Sequence, residues 1–249
     1  MDEPVQSNRP QTETSPMISV IIPARNEARD IGKTLAAILQ AAATTPEIAL
    51  EVLLIDNLST DETAEIGRSF APVVEVISCP RLKAPCARNE GVLHAKANVY
   101  LFVDADTLIP ETCLPKIWAF AQHHQVGIFG IDGEGRSMRS RLWWWFWNTV
   151  RHLPLAHAKA LPAFMFCTRE GFDRFGPFDE EVQIGEEWPI TARCWKQARK
   201  QFVYDTSLRA ITSDRRMELQ PFGYSKTFFK YVWAILHKSG RIEYEDRYR

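Results

Sequence analysis

The stretch Val99-Tyr-Leu-Phe-Val103 is followed directly by Asp104-Ala-Asp106. Five consecutive apolar or aromatic residues with β-branched ends predict a buried strand. Two carboxylates one residue apart cannot stay unpaired in an apolar core, so this strand must end at a surface or at a site. In open α/β sheets, ligands bind at the carboxyl ends of strands. The pair therefore indicates either a site for Mg²⁺ or Mn²⁺ or a turn with two solvated aspartates.

Three more predicted strands, each followed by a helix, precede this one. The apolar runs that predict them are 18–22, 51–55 and 73–77. Pro23 is expected to end the first strand, and Ser59 with Glu62 fits a capping box for the second helix. This βαβαβαβ alternation predicts an α/β fold with a mostly parallel central sheet flanked by helices. The polar ends of its first, second and fourth strands then lie along one edge.

Beyond Asp106 the pattern is less regular, and the ends of the chain differ from its middle. Residues 1–16 are polar, contain three prolines and are expected to form a disordered arm. Residues 217–249 are expected to form a C-terminal amphipathic helix, at about 222–238, and a tail. The strands predicted in between are 126–131, 163–167, 201–204 and 208–212, with a helix at 169–175.

Composition excludes several classes of protein. The formal net charge is −1, which gives no general affinity for nucleic acid. The five cysteines are odd in number and none form C-x-x-C, so neither a disulfide framework nor a zinc site is predicted. No apolar signal core or bilayer-long apolar run is present, and we expect a reduced, cytoplasmic setting. Gly-rich phosphate loops are absent, which disfavours ordinary dinucleotide and P-loop sites.

Six motifs in order resemble those of the inverting family 2 glycosyltransferases, which have the GT-A fold. The resemblance runs from about residue 18 to residue 216, most of the chain. Several ordered motifs together are far more specific than any one alone. The motifs are Ile18-Ser-Val-Ile-Ile-Pro-Ala-Arg-Asn-Glu27, Asp56-Asn-Leu-Ser-Thr-Asp61, Ala87-Arg-Asn-Glu-Gly91, Asp104-Ala-Asp106, Phe175-Gly-Pro-Phe-Asp-Glu180 and Gly185-Glu-Glu-Trp188.

The resemblance implies a nucleotide-sugar site at the predicted sheet edge, in a donor-binding half at 17–107. Asp56 would read the base, Glu27 would lie near the ribose, and Asp104 would contact the nucleoside. The pair Arg215-Arg216 either closes over the diphosphate, as a basic segment does in many members, or is a solvated pair at a strand end. The implied nucleotide-binding set, with Lys83 as the alternative to Arg88, is Pro23, Arg25, Glu27, Asp56, Asn57, Lys83, Arg88, Asp104, Arg215 and Arg216.

The resemblance also implies a metal and a general base. Asp106, with Asp104 beside it, would hold Mg²⁺ or Mn²⁺ at the donor diphosphate. The family usually has Glu-Asp or Asp-Asp where this chain has Glu186-Glu187, and the second member accepts the proton of the acceptor hydroxyl. Glu has one more methylene than Asp, so either Glu187 or Glu186 presents the base. The alternative is that both are ordinary first-turn acids that stabilise a helix.

Four tryptophans within 143–147 have three interpretations. They are core, they stack on a sugar acceptor, or they lie at a membrane interface. We interpret residues 108–216 as an acceptor-binding half of the same domain, with Trp143, Trp144 and Trp188 at the acceptor. Arginines around the cluster favour the membrane interface or an anionic lipid-linked acceptor. Lysines with a tryptophan in the predicted C-terminal helix fit an interfacial helix or, equally well, a helix packed against the catalytic domain. Peripheral contact with the inner face of a membrane is therefore one of the expectations. The residues of these two groups are Arg136, Arg139, Arg141, Arg151, Lys226, Lys230, Trp233 and Lys238.

The sequence therefore predicts a metal-dependent, inverting glycosyltransferase. It would move a sugar from a nucleotide donor, with UDP as the expected nucleotide, to a hydroxyl of a glycan or a lipid-linked acceptor. Two alternatives remain at this point: a nucleotidyltransferase and a catalytically silent protein that binds sugar nucleotides. The missing glycine in Pro23-Ala-Arg-Asn-Glu27 argues against the first. The intact acidic motifs argue against the second.

Overall fold

The computed structural model of the chain describes residues 17–135, 137–159, 163–181 and 188–215, apart from the side chains of His157, Trp188 and Pro189. The predicted N-terminal arm and the predicted C-terminal helix both lie outside these residues. The division into a donor half and an acceptor half remains a prediction.

The first half of the fold has the predicted alternation of strands and helices. Its four strands are parallel and lie in the order β3-β2-β1-β4. All five residues of β4 are buried, as their apolar run predicts. The elements are β1 (Met17–Ala24), α1 (Ile31–Ala43), β2 (Ala49–Asp56), α2 (Thr63–Arg68), β3 (Val74–Ser78), α3 (Ala84–His94) and β4 (Val99–Val103).

The second half extends the same sheet beyond β4, in the order β4-β7-β6-β8-β5. Strand β7 is antiparallel to both of its neighbours, β4 and β6, whereas β6 and β8 are parallel to each other. The carboxyl end of β6 therefore lies at the same edge as the carboxyl end of β4. The elements are β5 (Thr107–Leu108), α4 (Cys113–Ala121), β6 (Val126–Gly133), α5 (Met138–Val150), β7 (Phe164–Thr168), α6 (Arg169–Phe175), α7 (Trp188–Gln197) and β8 (Phe202–Thr212).

Three local predictions are wrong. Pro23 lies inside β1. Pairing of β1 with β4 ends at Ile21, so the side of β1 toward which an N–H at position 23 would point has no strand partner there, and a proline is tolerated. The capping box does not form, because Ser59 accepts a hydrogen bond from the Asn26 N–H and Glu62 makes no side-chain cap. The two short strands at 201–204 and 208–212 are one strand, β8, whose pairing with β6 shifts register opposite Phe129 and Gly130.

The core lies between the sheet and the helices on its faces. Helix α3 approaches β1 so closely that a Cβ at Gly91 would lie 2.3 Å from Ile21 Cγ2. This contact explains why the Ala87-Arg-Asn-Glu-Gly91 motif ends in glycine, and it fixes α3 against the strand ends. Within the described ranges, every helix is too short or too polar to cross a bilayer.

Candidate active site

The loop after β4 is fixed by backbone contacts from three other elements. Asp104 N–H donates to the Ala163 carbonyl at 3.2 Å, and Ser213 N–H, after β8, donates to the Asp106 carbonyl at 3.2 Å. The buried Thr34 hydroxyl of α1 donates to the Ala105 carbonyl at 2.8 Å. These bonds hold both carboxylates at the edge where β1, β2, β4 and β6 end.

Asp104 is paired with a buried arginine. Arg88 Nη2 of α3 lies 2.6 Å from Asp104 Oδ1, and the Arg88 side chain is 3% exposed. A guanidinium that deep needs a carboxylate as hydrogen-bond partner, and Asp104 provides one. Arg88 also lies over the Phe178 ring, 5.7 Å from its centroid. Both residues of the pair belong to the predicted nucleotide site, and one oxygen of Asp104 is already used by Arg88.

Asp106, the predicted metal ligand, lies beside two threonine hydroxyls. Its Oδ1 lies 3.3 Å from the Thr212 hydroxyl and 3.5 Å from the Thr107 hydroxyl. No three His, Cys, Asp or Glu side chains of the described residues lie close enough to hold an ion together. Mg²⁺ in particular is usually bound by one or two carboxylates and substrate phosphates, so a single aspartate at a diphosphate site fits this ion. Asp106 would hold it, and the donor would supply the remaining oxygens.

The loops after β1 and β2 are joined by side-chain hydrogen bonds. Thr60 N–H donates to Asn26 Oδ1 at 2.8 Å, and Glu27 N–H donates to the Thr63 hydroxyl at 2.8 Å. Asn26 is held in the left-handed region with φ 54°. Arg25 Nε, in the same loop, is buried and has no hydrogen-bond partner among the described residues. An unsatisfied guanidinium beside a polar loop is a candidate for binding an anion.

Asp56 and Asn57, at the end of β2, have different surroundings. Asp56 Oδ1 accepts only a long hydrogen bond, 3.3 Å, from the Ser59 N–H. The Asn57 side chain instead shapes the next loop, because its Nδ2 donates to the Arg81 carbonyl at 2.5 Å and its Oδ1 accepts from the Lys83 N–H at 2.9 Å. Asn57 thus acts on the Arg81–Lys83 loop, in which Lys83 has φ 113°.

Glu27 is engaged by the residue that follows β8. Arg215 Nη2 contacts both carboxylate oxygens of Glu27, at 3.0 and 2.8 Å. Its Nη1 lies 3.6 Å from the buried Asp30 Oδ2. The resemblance implied Glu27 near the ribose, and for Arg215 it left open the diphosphate or a solvated pair at a strand end; in the structure Arg215 is bound to Glu27. Arg216 lies outside the described residues.

A cluster around Glu180 connects the loop after β3 with the segment before α7. Asn89 Nδ2 donates to Glu180 Oε1 at 3.0 Å and to the Phe178 carbonyl at 3.1 Å, and Phe178 N–H donates to Asn89 Oδ1 at 3.0 Å. Lys83 Nζ donates to the Glu180 carbonyl at 3.0 Å, and Arg81 pairs with its carboxylate. The Asn89 hydrogen bond is the main reason that the pKa of Glu180 is held below its usual range.

Sequence reasoning assigned no role to Asn89 or Glu180, although both stand in quoted motifs. The signal that could have identified them is their position beside Arg88 and beside the Glu186-Glu187 pair. Glu186 and Glu187 lie outside the described residues, and Trp188 is described only as the first residue of α7. The Glu180 cluster therefore ends seven residues before the predicted base.

The tryptophan cluster lies on α5, and its members face different surroundings. Trp147 is 8% exposed and belongs to the protein interior, Trp143 and Trp144 are half-buried, and Trp145 is 65% exposed. Trp144 Nε1 donates to Asp214 Oδ1 at 3.1 Å. The core interpretation thus holds for Trp147, whereas Trp145 faces outward.

A cavity of about 480 Å³ lies between α5, the end of β6 and the middle of β8. Its lining includes Trp144, Trp145, Arg141 and the Asp132–Arg209 ion pair, whose N–O distance is 2.9 Å. Both members of that pair are nearly half exposed, so the pair adds little to stability. Aromatic rings beside a carboxylate and a guanidinium suit a polyhydroxylated ligand.

Asp214 links the wall of this cavity to the segment beside Asp106, the predicted metal ligand. Besides Trp144, it accepts hydrogen bonds from the Ser140 hydroxyl at 2.5 Å and from the Gly135 N–H at 2.6 Å. It lies two residues after Thr212, whose hydroxyl is near Asp106. One short segment thus contacts both the candidate metal site and the wall of the cavity.

Solved structures share the fold. TarS residues 1–349 of S. aureus in complex with UDP has a TM-score of 0.60 and 21% identity, over 80% of this chain and 61% of that chain. The mannosyltransferase PcManGT of Pyrobaculum calidifontis, in complex with GDP-Man and Mn²⁺, has a TM-score of 0.57 and 21% identity, over 80% and 57%. The fold is therefore of the GT-A type, as the motifs predicted.

Curated relatives share parts of the sequence. Glycosyltransferase AglE of Haloferax volcanii is 37% identical over 128 residues, which are 50% of this chain and 38% of AglE. The 4,4'-diaponeurosporenoate glycosyltransferase of Staphylococcus aureus is 40% identical over 93 residues, which are 36% of this chain and 24% of the relative. The matched parts are thus less than half of either relative.

The model of the family described as glycosyl transferase family 2 matches residues 19–180, about two thirds of the chain. That range includes β1 to β4, the Asp104-Ala-Asp106 loop and Glu180. The chain therefore belongs to glycosyl transferase family 2.

Proposed function

We propose that the protein transfers a sugar from a nucleotide donor, with UDP as the nucleotide, to an acceptor hydroxyl, with inversion at the anomeric carbon and dependence on Mg²⁺ or Mn²⁺. The observation that carries the proposal is the arrangement at the sheet edge. Asp106 and the Asp104–Arg88 pair lie at the end of β4, and the polar loops after β1 and β2 end at the same edge. TarS and PcManGT, which share the fold, are recorded with UDP and with GDP-Man and Mn²⁺.

The residues have distinct roles in this mechanism. Asp104 and Asp56 hold the nucleoside, and Arg215 lies beside the diphosphate. Glu187 accepts the proton of the acceptor hydroxyl as its oxygen bonds to the anomeric carbon and the bond to the nucleotide phosphate breaks. When bound at Asp106, the metal ion supplies positive charge against the leaving diphosphate. A single displacement of this kind needs no covalent sugar–enzyme intermediate.

The acceptor site that we propose is the cavity between α5, the end of β6 and the middle of β8. Trp144 forms part of its wall, and Trp143 and Trp188 are the other predicted acceptor residues. Asp214, which bonds to Trp144 and lies two residues after Thr212, supports a position of this wall near Asp106. The acceptor is a glycan or a lipid-linked hydroxyl compound, and with the latter the protein works at the cytoplasmic face of a membrane.

The test is release of free UDP from UDP-sugars with Mn²⁺, Mg²⁺ or chelator present, together with thermal unfolding under the same conditions. We expect a donor to raise the unfolding temperature only with metal and to release UDP slowly by hydrolysis. A nucleotidyltransferase would release pyrophosphate from a nucleoside triphosphate instead. A silent binding protein would show the thermal shift without UDP release, and metal-independent release would contradict the proposed metal role.

The Glu180→Gln variant is expected to raise the donor KM by a few-fold, at most about fivefold. The amide keeps the shape of the side chain but loses the charge that pairs with Arg81, and because Arg81 is 50% exposed, solvent screening limits that pair to about 1 kcal/mol. The Arg81–Lys83 loop then keeps its hydrogen bonds with Asn57 and loses this ion pair. Initial rates of UDP release at varied donor concentration give KM and kcat separately.

The matched control for this variant is Glu111→Gln, an exposed acid before α4 whose side chain is far from the cluster in sequence. It should leave both constants unchanged. If Glu180→Gln lowers only the unfolding temperature and leaves the donor KM at its normal value, Glu180 has a structural role alone and the positioning role is wrong.

A further inference from the structure

Helix α5 has large apolar side chains on its exposed face as well as on its buried face. Met138, Leu142 and Trp145 are 68%, 57% and 65% exposed. Their spacing of four and three residues places them on one face of the helix. The opposite face buries Ser140 and Trp147. We call Met138, Leu142 and Trp145 the α5 ridge, which is about 10 Å long at 1.5 Å per residue.

The apolar surface continues past the end of the helix. Leu153 and Leu155 follow α5 and are 46% and 49% exposed. Half of the large, exposed apolar side chains of the described residues therefore lie between positions 138 and 155. The others are scattered over the molecule, and isolated ones need no explanation. A concentrated group of this kind marks a surface that contacts something apolar.

The exposed charges that α5 itself carries are all positive. Arg139 and Arg141 are exposed and lie on either flank of it. The sequence contains no aspartate or glutamate from residue 135 to residue 169. Arginines beside an apolar strip on one helix complement an anionic lipid surface. A neutral or basic partner surface would not account for this charge pattern.

We propose that the α5 ridge, with Leu153 and Leu155, docks the protein on an anionic lipid bilayer. Trp145 lies at the level of the headgroups, Met138 and Leu142 reach the acyl boundary, and the flanking arginines contact lipid phosphates. Compared with the sequence prediction, the membrane surface loses Trp147 and Arg151, which are buried. It gains two leucines that follow the helix.

The test is co-sedimentation of the full chain with two kinds of vesicle, pure phosphatidylcholine and phosphatidylcholine with phosphatidylglycerol. We expect binding to the anionic vesicles only, and weaker binding as salt rises. The double variant Met138→Ser, Leu142→Ser should bind at least about tenfold more weakly, since each buried apolar side chain contributes more than a tenfold factor. Leu93→Ser, which replaces a leucine of α3 that is 77% exposed, is the matched control and should bind like the wild type.

Three outcomes would overturn the proposal. The first is wild-type protein that does not bind anionic vesicles, and the second is a double variant that binds them as well as the wild type. The third is a wild-type protein that binds no vesicles but self-associates, with the self-association abolished in the double variant. Neither Met138 nor Leu142 lines the α5 cavity, so UDP release without vesicles should be unchanged in the double variant. Loss of membrane binding is thereby distinguished from loss of the proposed enzymatic function, and circular dichroism confirms that the variant is folded.

Discussion

The Glu187→Gln variant is expected to bind the donor like the wild type and to transfer sugar about 10²–10⁴-fold more slowly, which is the usual contribution of a positioned general base. Glutamine has nearly the same size as glutamate, but its amide cannot take the proton of the acceptor hydroxyl. Calorimetric titration with UDP and Mn²⁺ measures the binding, and UDP release in the presence of acceptor measures the transfer. A kcat loss without a donor-affinity loss is the signature of the base.

Glu186→Gln is the matched control, since it makes the same change one residue earlier. An inactive Glu186→Gln together with an active Glu187→Gln would assign the base to Glu186. If both variants are active, neither is the base and both are first-turn acids of the helix that follows. The comparison also addresses the departure from Glu-Asp in this family, because Glu187→Asp would restore the shorter side chain and should keep activity if reach is not limiting.

The fold was predictable where side-chain pattern decides it locally. Residues 99–103 are uniformly apolar and form a strand with the predicted bounds. The helix at 169–175 also has its predicted bounds. Pro23 was mispredicted because a proline in a strand depends on whether a neighbouring strand needs its N–H, which is a property of the sheet. The antiparallel insertion of β7 between β4 and β6 likewise depends on contacts far apart in sequence.

The candidate site was likewise predictable only in part. Motifs indicated the individual acids and bases, but not which of them pair. The Arg88–Asp104 and Arg215–Glu27 pairs, and the bonds between Asn89 and Phe178, join residues 16, 188 and 89 positions apart. The tryptophan cluster has one composition and three environments, because helical periodicity turns Trp147 inward and Trp145 outward. Which ring turns inward depends on the face of α5 that packs against β6, which is a tertiary contact.

The Asp106→Asn variant is expected to lose the metal dependence of donor binding and to transfer sugar at least about 10²-fold more slowly, since a bound ion contributes several kcal/mol of charge stabilisation. Asparagine is nearly isosteric, so the hydroxyls of Thr107 and Thr212 keep a partner and the unfolding temperature should hardly change. UDP titrations with Mn²⁺ and with chelator should then give the same Kd. Undiminished stimulation by Mn²⁺ in the variant would show that Asp106 is not the metal ligand.

Asp104→Asn provides the contrasting variant, because its neighbour is the buried Arg88 and not a hydroxyl. Removing that carboxylate leaves a guanidinium with 3% exposure short of its ionic partner, which should cost about 2 kcal/mol and lower the unfolding temperature. UDP affinity should fall with and without Mn²⁺ alike, as expected for a nucleoside contact. The two aspartates, one residue apart, are thus separated by two measurements: metal dependence changes only at position 106, and thermal stability only at position 104.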